Sequence, residues 1–160
     1  APVTVNNIGT VRKLNSVIFP VRYAERFYKT ILNPDLEEFC KLIYFNDIPV
    51  GTTCSRIETG SAADSKAGST LYMMTLGILA PYRNYSAGTM ALKEIIEAAS
   101  TYSYPSSQPP SVERIQLHVQ TNNVDARRFY EKHGFKVVKQ VEGYYKKIEP
   151  KSAWLLERDV

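Results

Sequence analysis

The chain has 160 residues, enough for one folded domain with a substantial core, and its 44% hydrophobic and 22% charged residues are ordinary for a globular protein. Its net charge of +4 contains no block of basic residues, which argues against direct nucleic-acid binding. No apolar run approaches the roughly 20 residues of a membrane helix. The mild positive charge suits an anionic cofactor or an acidic partner surface.

The two cysteines, Cys40 and Cys54, are too few for a disulfide scaffold or a zinc site, so we expect no metal. They fall in segments that can pair as strands, yet free buried thiols in a reducing compartment are the favoured interpretation. Nothing at the start of the chain is typical of a signal peptide. We therefore expect a cytoplasmic protein.

Two stripes of apolar residues at helical spacing predict two short helices, ended by Pro20 and by Pro34. The connection between them, residues 19–23, is apolar and aromatic, whereas loops are commonly polar. It is therefore predicted either to anchor into the core or to line a pocket. The two stripes are Val11, Leu14 and Ile18, and then Ala24, Phe27, Tyr28 and Ile31.

Residues 39–45 and 48–57 are apolar and rich in β-prone side chains, and Asn46-Asp47 between them predicts a hairpin. Residues 59–69 are rich in Gly, Ala and Ser without a periodic pattern, so we expect a flexible loop there.

Residues 70–99 organise the rest of the chain. An apolar strand leads into small residues at positions 83–89, and a helical stripe follows at Leu92, Ile95, Ile96 and Ala99. The first N–H groups of a helix have no internal partner and carry partial positive charge. Small side chains let a phosphate reach them, so this turn is predicted to bind a phosphorylated cofactor.

The last third of the chain begins with residues 102–112, whose prolines and serines predict an exposed excursion. Residues 114–120 then alternate as a strand, and Asn122-Asn123 offers a cap for a helix that ends at Gly134. Residues 135–141 and 144–148 are predicted to be two further strands, and residues 153–156 a possible last one. The pattern predicts an α/β fold with a mixed sheet, as one domain over residues 1–160.

Two motifs carry a resemblance to a known family. Arg83-x-x-Ser86-x-Gly88 is similar to the acyl-CoA signature of the GNAT acetyltransferases, although that family commonly has Gly where Ser86 stands. A backbone N–H survives this change, but a positive φ would strain the serine. Asn123-x-x-Ala126-x-x-x-Tyr130-x-x-x-Gly134-Phe135 resembles the other end of the same domain. The two motifs lie in the family's order, each on the expected element.

Further segments resemble the branch of N-terminal α-amino acetyltransferases that supplies the catalytic subunit of the NatE assembly; they are residues 17–21, 44–48, 71–72, 74–77, 117–120 and 144–150. The resemblance implies the GNAT fold, a mixed and mostly antiparallel twisted sheet flanked by helices. It also implies transfer of acetyl from acetyl-CoA to peptides that begin with Met and an apolar second residue. The implied partners are nascent or short peptide N-termini and the NatA auxiliary and catalytic subunits near the ribosome.

Two alternatives remain open at this point. One is a structural subunit that binds CoA but is weakly active, which only Ser86 favours. The other is a lysine or small-amine acetyltransferase on the same fold, against which apolar substrate walls argue. Fold by itself does not decide between them.

Site residues are assigned by the resemblance. Taken alone, Tyr72 fits a core aromatic, His118 a surface histidine and Tyr130 a packing residue. The resemblance makes Tyr72 and His118 the pair that deprotonates the α-amine through an ordered water, and Tyr130 the group that protonates or holds the departing thiolate. It places Leu76, Gly77, Ile78, Arg83, Asn84, Tyr85, Ser86, Ala87, Gly88, Thr89, Asn123, Ala126 and Tyr130 at the cofactor. The implied peptide walls are Phe19, Pro20, Val21, Tyr23, Met74, Tyr144, Tyr145 and Ile148.

Overall fold

The structure is a computed structural model that describes residues 1–58, 69–102 and 112–160, and the two predicted loops lie almost wholly outside the described residues. Its helices are α1 (Ile8–Ile18), α2 (Glu25–Thr30), α3 (Ala87–Thr101) and α4 (Val124–Lys132). Its strands are β1 (Cys40–Phe45), β2 (Ile48–Glu58), β3 (Ser69–Ile78), β4 (Val112–Gln120), β5 (Lys136–Val141) and β6 (Ala153–Asp159). Short 3₁₀ turns cover Pro34–Leu36 and Ala80–Tyr85.

These strands form one six-stranded sheet in the order β1-β2-β3-β4-β6-β5. Only β3 and β4 pair in parallel, and all the other neighbours are antiparallel. The predicted mixed, mostly antiparallel sheet flanked by helices is confirmed. No helix within the described residues is both long and apolar enough to cross a membrane.

Local signals in the sequence account for several elements. Asn46 and Asp47 have φ of 47° and 65°, the left-handed pair that matches the twist of a hairpin. The side chain of Asn123 accepts a hydrogen bond from the Ala126 N–H and caps α4, and Gly134 ends that helix at φ 87°. The predicted hairpin, cap and helix end are therefore confirmed.

The cysteines lie where the hairpin prediction brings them. Cys40 and Cys54 are register partners on β1 and β2, and both are fully buried free thiols. The core around them includes Phe39, Leu71 and Leu92, none of which is exposed to solvent. The fold thus buries the helical stripes against the middle of the sheet.

The prediction of a strand at residues 144–148 is wrong. This segment is irregular, and the edge of β5 that it would have paired with is occupied by β6, where Val141 is opposite Ala153. The loop folds back on itself instead, because the Tyr145 N–H donates to the Lys151 carbonyl at 2.9 Å. Its aromatic side chains are consequently free to line a cavity.

The strands β3 and β4 separate in the middle of the sheet. Their pairing runs from Ser69 and Val112 to Tyr72 and Gln116. On the other side of β3, Cys54 is opposite Thr75 and Ser55 is opposite Met73, so Met74 is the extra residue of a β-bulge. A bulge bends its strand, which fits the separation of β3 from β4 beyond Tyr72.

Candidate active site

Tyr72 and His118 meet where β3 and β4 separate. Tyr72 is opposite Gln116 in the last parallel pair, and His118 follows two residues later on β4. Both side chains are half-buried, and the Tyr72 hydroxyl lies 2.6 Å from Nδ1 of His118. The two residues that the sequence assigned to one proton path are therefore in direct hydrogen-bond contact.

Tyr144 completes this group from the loop after β5. Its hydroxyl lies 2.9 Å from the Tyr72 hydroxyl, and its ring stacks on the His118 imidazole with 4.1 Å between centroids and 17° between planes. The sequence assigned Tyr144 only to the peptide wall. The structure makes it a second hydrogen-bond partner of Tyr72 and a cover for His118.

The pKa values of the pair are shifted in opposite directions. Burial lowers the pKa of His118 from its ordinary value, and the positive charge of Lys139 lowers it further, while Glu58 opposes both. Burial and the hydrogen bond with Tyr144 raise the pKa of Tyr72 well above its ordinary value. At neutral pH the imidazole is therefore neutral and the phenol is protonated, so the Tyr72 hydroxyl can donate to Nδ1 and accept from Tyr144.

Two cavities meet at His118, and Tyr72 lines the larger of them. The larger cavity has a volume of about 740 Å³, and Val21, Tyr23, Met74, Tyr144 and Tyr145 line it together with Tyr72 and His118. The smaller cavity of about 180 Å³ is lined by Phe19, Pro20, Leu76, Asn123, Ala126, Tyr130 and Ile148, among others. Burial raises the pKa of Tyr145, which lines both cavities, to about 12, so its side chain is uncharged at neutral pH. The residues predicted as peptide walls are divided between the two cavities, which share Val21, Tyr23, Met73, Met74, His118 and Tyr145.

The smaller cavity lies in the opening between β3 and β4. It is lined by consecutive residues of both strands, from Met73 to Leu76 and from Leu117 to Gln120. The Tyr130 ring is buried against Phe129 and Phe135, and its hydroxyl makes no hydrogen bond to any residue that the structure describes. Burial raises the pKa of Tyr130, so its hydroxyl keeps a proton that it can donate.

Comparison with known proteins agrees with this geometry. Residues 9–135 match the family described as the acetyltransferase (GNAT) family. This chain belongs to the GNAT acetyltransferases. It is 40% identical over 158 residues to N-alpha-acetyltransferase 50 of Danio rerio, covering 99% of this chain and 86% of that protein. It is 41% identical over 156 residues to a probable N-acetyltransferase san of Drosophila melanogaster, covering 98% and 77%.

A solved GNAT structure is similar over the whole fold. The Arabidopsis thaliana Naa50 in complex with the bisubstrate analogue CoA-Ac-MVNAL superposes with a TM-score of 0.84 at 35% identity. The alignment covers 100% of this chain and 97% of that one. The predicted family and fold are thereby confirmed.

The turn that carries the GNAT acyl-CoA signature has free helix amides. The Met90 N–H is the first to bond within α3, to the Ser86 carbonyl at 3.0 Å, so the N–H groups of Ala87, Gly88 and Thr89 point out of the helix N-terminus. Arg83 braces this turn, because its Nε donates to the Ile78 carbonyl at 2.9 Å.

Ser86 departs from the GNAT signature at a position with unusual backbone geometry. Its φ is 62° and its ψ is 12°, the left-handed region that favours glycine. Its side chain makes no capping hydrogen bond. The strain considered from the sequence is therefore present, and the serine hydroxyl offsets none of it through a cap.

The other residues predicted to bind the cofactor differ in their burial and in their contacts. Leu76, Asn123 and Ala126 line the smaller cavity, with the Asn123 oxygen engaged by the helix cap at 3.2 Å from the Ala126 nitrogen. Ile78 is buried, and the exposed Tyr85 packs on Phe45 with 4.9 Å between ring centroids.

Close packing explains why residue 77, predicted at the cofactor, is a glycine. A Cβ there would lie 2.5 Å from both the Ile18 Cγ2 and the Phe19 Cζ atoms. The absence of a side chain at Gly77 therefore lets the end of α1 approach the sheet and sets the position of the Phe19 connection.

Three arginines in the larger cavity were missed from the sequence. Arg22, Arg26 and Arg56 line it beside the aromatic walls. Arg56 is opposite Tyr72 in the β2–β3 register, and its guanidinium lies 5.0 Å from the centre of the Tyr72 ring. The available signal was Arg22, which lies inside the connection that was predicted either to anchor into the core or to line a pocket.

Proposed function

We propose that this chain is an N-terminal α-amino acetyltransferase. It transfers acetyl from acetyl-CoA to the α-amine of peptides that begin with Met and an apolar second residue. The observation that carries this proposal is the hydrogen bond of 2.6 Å between Tyr72 and His118 at the meeting point of two cavities. The Danio rerio and Arabidopsis relatives support the class of reaction.

The residues present fit acetyl-CoA. Small residues surround the N-terminal amides of Ala87, Gly88 and Thr89, an arrangement that binds a pyrophosphate. The smaller cavity, in the opening between β3 and β4, reaches His118. When bound, acetyl-CoA supplies an acetyl group activated as a thioester. In this proposal the residues from Leu76 to Ile78, Arg83 to Thr89, Asn123, Ala126 and Tyr130 form its binding surface.

The proton path uses residues of this chain. A peptide α-amine has a pKa of about 8, so roughly a tenth of it is already neutral at pH 7 and a modest base suffices. The Tyr72 oxygen accepts a proton from the amine as its own hydroxyl proton passes to Nδ1 of His118. Tyr130, whose raised pKa keeps it protonated, donates to the departing sulfur or holds it.

The acceptor site is apolar next to this path. Tyr23, Met74 and Tyr145 line the larger cavity beside His118, and a methionine side chain packs well among aromatic rings and thioethers. The analogue bound to the Arabidopsis relative carries the peptide MVNAL, which begins with Met. Both observations support a Met-starting acceptor.

The alternatives make different predictions in one assay. Free thiol release should be measured with a Met-Leu peptide, with a peptide whose only amine is an internal lysine, and without peptide. We expect turnover with the Met-Leu peptide alone. Turnover with the lysine peptide would favour a lysine acetyltransferase, and CoA binding without turnover on any peptide would favour a structural subunit.

The same proposal covers the partner subunits of the protein and its location in the cell. One acetyltransferase domain over residues 1–160 would act in the cytoplasm, with the NatA auxiliary and catalytic subunits near the ribosome. The resemblance to the NatE branch supports this, and the net charge of +4 suits an acidic partner surface. Co-sedimentation of the tagged chain with ribosomes and NatA subunits tests it, and a chain that remains entirely free of both would contradict it.

A further inference from the structure

We propose that Arg22 and Arg26 make the larger cavity selective for acceptor peptides with acidic side chains after the second residue. This inference rests on the proposed function, because it concerns the same acceptor. It adds a charge preference at the positions that follow the Met and the apolar residue.

The three guanidinium groups reach one cavity from three places in the chain. Arg22 comes from the connection before α2, Arg26 from α2 and Arg56 from β2. None of the described residues that line this cavity is an aspartate or a glutamate. The described cavity wall therefore combines aromatic and apolar side chains with three cationic ones and no carboxylate.

Two of these charges have no acidic partner. Arg22 and Arg26 form no ion pair with any residue in the described parts of the chain. The nearby carboxylate of α2, Glu25, is already held by Arg12 through two contacts of 2.7 Å. A carboxylate of the peptide would consequently meet unneutralised guanidinium groups.

Arg56 differs from the other two, because the Glu58 carboxylate accepts from it at 2.8 and 2.9 Å. That pair leaves Arg56 stacked over the Tyr72 ring, at the end of the cavity where the α-amine reacts. Arg22 and Arg26 come from α2 and the connection before it, and neither is paired with a described carboxylate. They are accordingly the stronger candidates for contact with the third and later residues of the acceptor.

The expected size of the effect follows from the exposure of these side chains. Arg22 and Arg26 are exposed, so each ion pair changes an equilibrium constant by about 1.5- to 5-fold, and salt screens it. Two acidic residues should therefore lower KM by about 2- to 25-fold at low ionic strength. The effect should fall on KM rather than kcat, because the charges lie away from the reacting atoms.

The test uses C-terminally amidated peptides that begin Met-Leu-Asp-Asp, Met-Leu-Asn-Asn or Met-Leu-Lys-Lys and are otherwise identical. Amidation removes the terminal carboxylate, which would otherwise compete for the arginines. We expect KM to rise in the order Asp, Asn, Lys at 20 mM salt and the differences to shrink at 300 mM. Binding of the acetylated Asp and Asn product peptides should show the same order without any turnover.

The variant that assigns the effect is Arg22→Gln combined with Arg26→Gln, which should abolish the difference between the Asp and Asn peptides. Lys29→Gln is the matched control: it removes one positive charge from α2 at a residue that does not line the larger cavity, and the preference should persist.

The outcomes separate the two proposals. Equal KM values for the Asp and Asn peptides at low salt would overturn the charge preference while turnover keeps the enzyme assignment. A preference retained in the double variant would overturn the role of the arginines. No turnover with any of the three peptides would overturn the proposed function and the inference that rests on it.

Discussion

The Tyr72 hydroxyl and Nδ1 of His118 are 2.6 Å apart although the residues come from neighbouring parallel strands that no longer pair at that point. Tyr72 belongs to the last paired position of β3, and the bulge at Met74 bends the strand immediately afterwards. The opening that we propose for the acetyl donor and the pair that we propose for proton transfer therefore have one structural origin.

Removal of either member of this pair should reduce turnover. Tyr72→Phe deletes the hydroxyl that bridges His118 and Tyr144, and His118→Ala deletes the acceptor. Each should lower kcat by about tenfold or more in the thiol-release assay, because a positioned proton path contributes at least this much. Binding of CoA, measured by calorimetry, should remain.

The matched control for this prediction is Tyr44→Phe, which removes the hydroxyl of an exposed tyrosine on β1 that does not line the larger or the smaller cavity. Its kcat should equal that of the unmodified protein. Unchanged rates in both site variants would remove Tyr72 and His118 from the catalytic assignment.

The charge of Lys139 should influence the pH at which kcat falls on the acidic side. Its charge adds to burial in lowering the pKa of His118, and His118 accepts a proton only while it is neutral. In Lys139→Gln this repulsion is lost, the pKa of His118 rises, and the acidic limb of kcat against pH moves to higher pH. The measurement is a pH profile at saturating peptide, checked by NMR titration of the imidazole.

Lys136→Gln is the control for that experiment, since it removes an exposed lysine from the same strand that is not among the groups that shift the His118 pKa. Its profile should coincide with that of the unmodified protein. A shift of the Lys139 variant to lower pH, or an equal shift in both variants, contradicts the assignment.

Much of the fold followed from local patterns. The hairpin at Asn46-Asp47, the cap at Asn123 and the end of α4 at Gly134 depend on residues within a few positions of each other, so the sequence contains their whole cause. The proposed catalytic pair was harder to predict from the sequence alone. Tyr72 and His118 were proposed through family resemblance, because alternation on a strand does not show which polar side chains of two strands will meet.

The incorrect and missed predictions arise from contacts between residues that are far apart in the sequence. Residues 144–148 carry a strand-like pattern, but β6 pairs with β5 in their place, and Tyr144 turns toward Tyr72. Arg22 and Arg26 were missed because a charged residue is ordinarily solvated, and only the packed fold brings them to one cavity. Such convergence has no local signal.

Ser86→Gly should stabilise the protein. A non-glycine residue in the left-handed region costs about 1–2 kcal/mol, while glycine costs about 0.5–1 kcal/mol in added chain entropy. The serine at φ 62° makes no capping hydrogen bond that would be lost. The free energy of unfolding should therefore rise by up to about 1.5 kcal/mol, measured by urea denaturation.

Two further serine variants test the cause. Ser86→Ala keeps the unfavourable φ and should not be stabilised, and Ser16→Gly, inside α1, should lose about 0.5–1 kcal/mol. A Ser86→Gly protein that is less stable than the unmodified chain would mean that the left-handed conformation is not the source of strain.

Gly77→Ala should disturb the proposed peptide site by displacing the connection that follows α1. The new methyl group would lie 2.5 Å from the side chains of Ile18 and Phe19, so the end of α1 and the connection after it must shift. Overpacking of this kind costs about 1–3 kcal/mol of stability. Because Val21 and Tyr23 on the same connection line the larger cavity, we expect a higher KM for the Met-Leu peptide.

Gly9→Ala is the matched control, because a Cβ at Gly9 meets nothing within 4 Å and alanine is favoured in a helix by about 0.5–1 kcal/mol. That variant should be more stable than the unmodified protein, with unchanged KM. A Gly77→Ala protein with normal KM would show that the connection tolerates displacement, and the peptide wall would then not depend on contact between α1 and β3.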